Sequence, residues 1–167
     1  MPQRRQAQLN PRGGNRVSLY HDGGACLRVM LEAIRGARHE ILLEMYWFGS
    51  DRTGRRFAEA LEERARHGVR VCVTYDAVGS WESDAAQFNR MRAAGCHVHV
   101  YNPPKRWRFR FSVGNRRDHR KLLVIDGQVG MTGGVNLADA WAPVAAGGGG
   151  FRDNLICIEG PAVADMR

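Results

Sequence analysis

A chain of 167 residues, 44% hydrophobic and 25% charged, has the length and polarity of one soluble globular domain. No apolar run approaches the roughly 20 residues that a membrane-spanning helix needs, so no such helix is expected. The formal charge of +8, from 25 Lys plus Arg against 17 Asp plus Glu, suits nucleic acid, anionic lipid headgroups or another phosphate-bearing partner, although an arginine-rich composition without functional meaning gives the same surplus.

Residues 1–14 are basic with no apolar segment behind them, so they read as a disordered leader and neither a signal peptide nor an anchor. Residues 15–167 read as a single domain. Val17 to Tyr20 is a short strand, and His21-Asp22-Gly23-Gly24 turns the chain into a helix over about residues 25–37. Ile41 to Phe48 (ILLEMYWF) is an apolar run of strand length, suited to a sheet covered on both faces. Thr53-Gly54 opens a helix to about His67, which Gly68 stops. Val69 to Tyr75 is the next strand, a helix follows near 82–94, and His97 to Tyr101 is a strand ended by Pro103-Pro104. Strands alternating with helices are the βαβ rhythm, so the expected class is α/β: a mixed, largely parallel sheet flanked by helices on both faces.

The pattern then changes. His119 to Ile125 and Gln128 to Thr132 are strands separated by Asp126-Gly127, a two-residue hairpin signal. Phe151 to Glu159 is strand-like. Pro161 looks like the first residue of a helix barely begun at Arg167, so the C-terminal end reads as truncated, as in one half of a longer protein. Ala145 to Gly150 (AAGGGG) reads as a flexible loop. Lys105 to Phe111 (KRWRFRF) alternates basic and aromatic residues. As a strand it would put Arg106 and Arg108 on one face and Trp107 and Phe109 on the other, which fits lipid contact, base stacking or ordinary packing. Cys26, Cys72, Cys96 and Cys157 lack the CxxC spacing of zinc or redox sites and read as buried free thiols in a reducing compartment. Arg55, Arg56, Arg64 and Arg66 interleave with Glu59, Glu62 and Glu63 at helical spacing, which reads as a solvated face rather than a binding surface.

Chemistry concentrates between His119 and Asn136, HRKLLVIDGQVGMTGGVN. Residues two apart on a strand share a face, so His119 and Lys121 project together. A histidine can attack a phosphodiester while a fixed ammonium neutralises charge building on the equatorial oxygens. Gly133-Gly134 lets backbone come close to a ligand, its N–H groups form an anion site, and Asn136 adds an amide donor. Asp126 begins the Asp-Gly turn, and shaping that hairpin and contacting His119 are both open roles. Glu44, inside an apolar strand, needs either a buried cation beside the site or a place near solvent at the strand end. Asp76 ends its strand, where it caps a turn or lines the site. No His, Cys, Asp or Glu cluster has metal-ligand spacing, so neither metal nor other cofactor is expected.

The pattern His119-x-Lys121-x4-Asp126-x6-Gly133-Gly134-x-Asn136 resembles the signature of the phospholipase D superfamily. The run Glu44-x-Tyr46-x-Phe48-x2-Asp51-x2-Gly54, Gly68-Val69-x-Val71, Asp76-x2-Gly79-Ser80, the segment Asn115 to Lys121 that contains Arg117, and Phe151-Arg152-Asp153 look like the N-terminal half of bacterial cardiolipin synthases in particular. The resemblance covers about residues 15–165. It implies a phospholipase D-like half domain and a metal-independent, two-step phosphoryl transfer on anionic phospholipid, of the phosphatidylglycerol type. One histidine would form a phosphohistidine while the histidine of a second HxK motif moves protons. It further implies that Asp126 belongs to the catalytic signature and that Asp153 orients the nucleophile. The place implied is the cytoplasm, peripheral to the inner face of a bacterial membrane. This chain has Phe151 where such synthases usually have Trp, and it has no second HxK. That leaves three readings: a half of a cardiolipin-synthase-like transferase completed by a C-terminal half, a single-motif homodimeric nuclease, and a non-catalytic phosphate-binding remnant.

Overall fold

The computed structural model describes residues 13–103 and 116–167. Arg106, Trp107, Arg108, Phe109 and residues 1–12 of the expected leader lie outside the described residues. Strand β1 (Arg16–Tyr20) leads into helix α1 (Gly23–Gly36), whose N-cap Asp22 accepts a hydrogen bond from the Ala25 N–H at 2.8 Å. Strands β2 (Glu40–Met45), β3 (Arg70–Asp76) and β4 (His97–Tyr101) alternate with α2 (Arg52–Arg66) and α3 (Ala85–Ala93). Three further strands complete the sheet: β5 (Leu122–Ile125), β6 (Val129–Gly133) and β7 (Leu155–Glu159), in the order β1-β7-β6-β5-β2-β3-β4.

Only β2–β3 and β3–β4 are parallel, and the other four junctions are antiparallel. The expectation of a largely parallel sheet therefore extended the βαβ rhythm of the first hundred residues too far. After β4 the chain enters on the far side of β2 in the opposite direction, and the Asp126-Gly127 hairpin reverses it again. Strand β5 begins at Leu122, three residues later than expected, because the preceding residues are held by side chains and not by a ladder.

Strand period sorts the apolar residues. Ile41, Leu43 and Met45 of β2, Val71 and Val73 of β3 and Leu123 of β5 are all buried on one face, in a core shared with Ile34 of α1, Phe57 and Leu61 of α2 and Phe88 and Met91 of α3. The three α-helices thus lie over this face. Among the described residues, the expected helical cover of the second face is reduced to the 3₁₀ turn Pro161–Met166, which begins with proline at a first-turn position. Its Val163 is fully buried, and Met166 fills the space where Gly130 has no side chain. Val17, Leu19 and Ile156 on that face stay 63%, 52% and 39% exposed. The expected flexible loop is instead pinned: the N–H groups of Gly148, Gly149 and Gly150 donate to the carbonyls of Pro143, Asp139 and Ala142.

Asp126 fills the structural one of its two open roles. It adopts φ +52° at the hairpin tip, and its carboxylate accepts from the backbone N–H groups of His39 and Glu40 at 2.8 Å and of Arg38 at 2.9 Å. It lies at the far end of β5 from His119, roughly 20 Å away for seven extended residues, and no hydrogen bond joins the two among the described residues. Burial works to raise its pKa, but the three N–H groups outweigh it and hold the carboxyl below its usual range. A folded-state pKa below the unfolded value near 3.9 stabilises the fold above that pH, and this contribution is lost as pH falls through the folded value. Asp126→Asn keeps a residue tolerant of positive φ and removes the charge. It should lower urea stability at pH 7 by about 1.5–3 kcal/mol, and the deficit against wild type should shrink below about pH 4.

Candidate active site

Strands β2 and β6 run one way and β5 and β7 the other, so the ends of the first pair and the starts of the second meet on one rim of the sheet. That rim gathers Tyr46, Asn136, His119 with Lys121, and Asp153 from four distant stretches of chain. Beyond β2 and β6 the strands stay linked: Leu137 N–H donates to the Trp47 carbonyl at 3.1 Å, and Gly49 N–H to the Leu137 carbonyl at 2.9 Å.

His119 is exposed, while Lys121 is buried at 6% exposure. Their residues are not in a strand, yet both side chains converge on the Tyr46 ring. The imidazole centroid lies 4.4 Å from it at 55°, and the Lys121 ammonium 5.0 Å from its centre, within cation–π range. The Lys121 Nζ also donates to the His119 carbonyl at 2.8 Å. Burial pushes the Lys121 pKa down, against the opposing charges of Asp153 and Asp118.

The residues around this pair are clamped. Asp76 is fully buried and accepts from the N–H groups of Val78 at 2.8 Å, Gly79 at 3.0 Å and Asp118 at 3.0 Å. Arg117 Nη1 lies 3.4 Å from the same carboxylate and donates to the Asn102 carbonyl at 3.2 Å. Burial of Asp76 works against its charge, but the hydrogen bonds and Arg117 win and hold its pKa low. Asp118 is likewise held low, first by Arg120, whose Nε and Nη2 donate to it at 2.9 and 3.1 Å. Glu44 pairs with Arg120 at 3.2 Å, so its cation is a largely exposed one. Residues 117, 118 and 120 are fixed, and 119 and 121 are left to face the site. Asp76, Arg117 and Glu44 therefore support the site from beneath. Sequence reasoning had Asp118, Arg120 and Tyr46 only within motifs and gave none of them a place in the site. The signal for Tyr46 was its place two residues after Glu44, continuing the β2 alternation.

The glycine pair serves the protein itself. A side chain on Gly134 would strike the Asp153 carboxylate, and one on Gly133 the Asn154 carbonyl. The Gly134 N–H already donates to that carbonyl at 3.1 Å, so the expected backbone anion site is occupied from within at this residue. Asp153 accepts from the Asn154 N–H and makes no hydrogen bond to His119 among the described residues; its charge acts on Lys121. Asn136 is buried, with its amide oxygen taking the Trp47 N–H at 3.0 Å, which leaves the NH₂ group as a donor. Among the described residues no group of three or more His, Cys, Asp or Glu is arranged to hold a metal ion.

The family described as "Cardiolipin synthase, PLD-like domain" matches residues 30–163, the stretch that carries this rim except for its N-terminal edge strand. The chain belongs to that family. A cardiolipin synthase of Geobacillus kaustophilus is 40% identical over 153 residues, 92% of this chain and 30% of that protein. Cardiolipin synthase A of Pseudomonas fluorescens is 34% identical over 153 residues, 92% of this chain and 32% of that protein. The chain thus spans about a third of the length of these curated relatives. Among solved structures, the phospholipase D family member Nuc of Salmonella typhimurium shares the fold with TM-score 0.66 and 18% identity, over 91% of this chain and 88% of that one. A phosphatidylserine synthase of Haemophilus influenzae matches with TM-score 0.64 and 15% identity, over 89% of this chain and 34% of that one.

In this cardiolipin-synthase-type domain the contact between Gly134 and Asp153 is open to a direct check. Gly134→Ala should destabilise the fold by about 1–3 kcal/mol through overpacking. In an Asp153→Ala background the same change should cost less than about half as much, a coupling readable in urea titrations of the four proteins.

Proposed function

We propose that this domain transfers phosphatidyl groups, with His119 as nucleophile on a phosphatidylglycerol-type phospholipid. One observation carries the reading: an exposed imidazole and a buried, fixed ammonium meet on one aromatic ring at the strand-end rim. The His119 nitrogen attacks phosphorus, the bond to the leaving alcohol breaks, and a phosphohistidine remains. An acceptor alcohol then gives up its proton, attacks phosphorus and frees His119. Lys121 neutralises the equatorial oxygens, and the Asn136 NH₂ donates to one of them. Asp153 balances the charge of Lys121. The identity to cardiolipin synthases over most of this chain supports the lipid substrate.

The leaving oxygen needs a proton that His119 cannot supply while it is bonded to phosphorus. Burial lowers the Lys121 pKa from its usual value of about 10.4, but its ammonium is already assigned to the equatorial oxygens, and missing general-acid help costs about 10²- to 10⁴-fold. We therefore assign the second histidine to another HxK domain, in a C-terminal half or a second copy. No helix among the described residues is long and apolar enough to cross a membrane, and we propose peripheral contact with the inner leaflet of a bacterial membrane. A single-motif homodimeric nuclease is the second reading. The fold shared with Salmonella Nuc, a phospholipase D family member, supports it.

His119→Ala should remove turnover in any active assembly. Acid-quenched protein with phosphatidyl-labelled phosphatidylglycerol should carry label on His119 alone; label on serine or aspartate would exclude this nucleophile. The 167-residue chain should be inactive whenever light scattering shows a monomer. If two copies make the site, adding His119→Ala chains to wild type should depress activity beyond dilution.

A further inference from the structure

On the helix face, α1 and α2 diverge into a groove of about 450 Å³. Its floor is aliphatic and aromatic, from Leu27, Leu31 and Phe57, and Pro143 closes one end by resting where Gly24 has no side chain. Its rim carries four arginines, Arg28 and Arg35 from α1 and Arg52 and Arg56 from α2, against one acid, Glu32. All four arginines are exposed.

The solvated-face reading of α2 does not explain this rim. Farther along the helix Arg66 pairs with Glu62 at 2.8 Å and Arg64 with Glu63 at 3.0 Å. At the groove, Arg28, Arg35 and Arg56 form no salt bridge among the described residues, and Arg52 reaches Asp139 only at 3.8 Å. Arg52 and Arg56, one turn apart, repel each other, a local cost that stability alone does not account for. Chain direction adds a second point. β1 and β2 run the same way, so α1 and α2 both start at the rim that carries His119, and the Gly24, Arg28, Arg52 and Arg56 end of the groove lies toward that rim.

We propose that this groove seats the phosphate headgroup of an anionic phospholipid in a membrane surface, distinct from the lipid that reacts at His119. The arginines would hold the phosphate, and the glyceride portion would rest against the exposed Pro143 and Ala146 above the buried Leu27, Leu31 and Phe57. A lipid fits better than nucleic acid, because Phe57, the aromatic residue here, is only 2% exposed and offers no face for a base to stack on. The seat would dock the catalytic rim against the bilayer. The proposal rests on the lipid reading of the active site, but its test reads binding without turnover.

The test uses the whole chain carrying His119→Ala, so that no lipid is consumed, in co-sedimentation with vesicles. Vesicles of phosphatidylglycerol in phosphatidylcholine are compared with phosphatidylcholine alone. Arg28→Glu with Arg56→Glu should weaken partitioning onto the anionic vesicles at least tenfold. Arg38→Glu with Arg90→Glu, an equal charge change away from the groove, should weaken it less than threefold. Equal losses in the two pairs would mean unspecific attraction and overturn the proposal, as would no loss in either. Displacement from vesicles by millimolar glycerol phosphate, or a groove-dependent affinity for duplex DNA above that for vesicles, would also overturn it. If circular dichroism shows the glutamate pair unfolded, Arg→Gln pairs repeat the comparison with half the charge change. Groove-dependent binding in a protein whose parent chain transfers no phosphatidyl group in any assembly would sustain the seat and defeat the transferase reading. Transfer without groove-dependent binding would do the reverse.

Discussion

The Asp76 carboxylate, with no exposed surface, ties together the end of β3, the turn after it and the segment that delivers His119. A buried anion is tolerated only when donors surround it, and here the donors are three backbone N–H groups and Arg117. Removing any one of these segments would leave the charge under-satisfied. The approach of residues 117–118 to β3 is thereby fixed before β5 begins its ladder. The active-site geometry follows from this arrangement, because His119 is the first side chain past the clamp that is free to point outward.

Beyond the clamp, charges alternate in a way that suits phosphate chemistry. Asp118 and Glu44 engage Arg120, so this arginine is spent within the protein and does not compete for an incoming anion. Lys121 remains as the cation directed at the site, desolvated and restrained by its bond to the His119 carbonyl. Its ammonium is thus pre-placed, and in the proposed reaction little reorganisation would remain as negative charge develops. Tyr46 acts as a common floor beneath the His119 imidazole and the Lys121 ammonium.

Much of this was legible in the residues themselves. Element order could be read from strand and helix periods and from turn signals such as Asp22-Gly23-Gly24 and Gly68, and His119, Lys121 and Asn136 stood out by type and spacing. What stayed hidden depended on partners far away in the chain. The direction of β5 is not encoded in Leu122–Ile125, so the sheet read as more parallel than it is. Asp126 looked catalytic by company, yet its three donors lie 86 to 88 residues earlier. Gly134 looked like a ligand contact because the side chain that needs the room, Asp153, comes from the start of β7. Glu44 looked out of place in an apolar strand until the alternation put it on the second sheet face beside Arg120.

The pairing of β1 with β7 also bears on how the domain comes into being. Arg16 meets Glu159 across a separation of 143 residues, and among the described residues the first strand has no other neighbour in the sheet. During synthesis β1 leaves the ribosome long before its partner exists, and it must wait, unpaired, for nearly the whole domain to emerge. Such non-local closure is slow and leaves Val17 and Leu19 open to wrong partners meanwhile. This part of the sheet thus closes only after β7 is released, and Arg16–Tyr20 and Leu155–Glu159 lie side by side once it has.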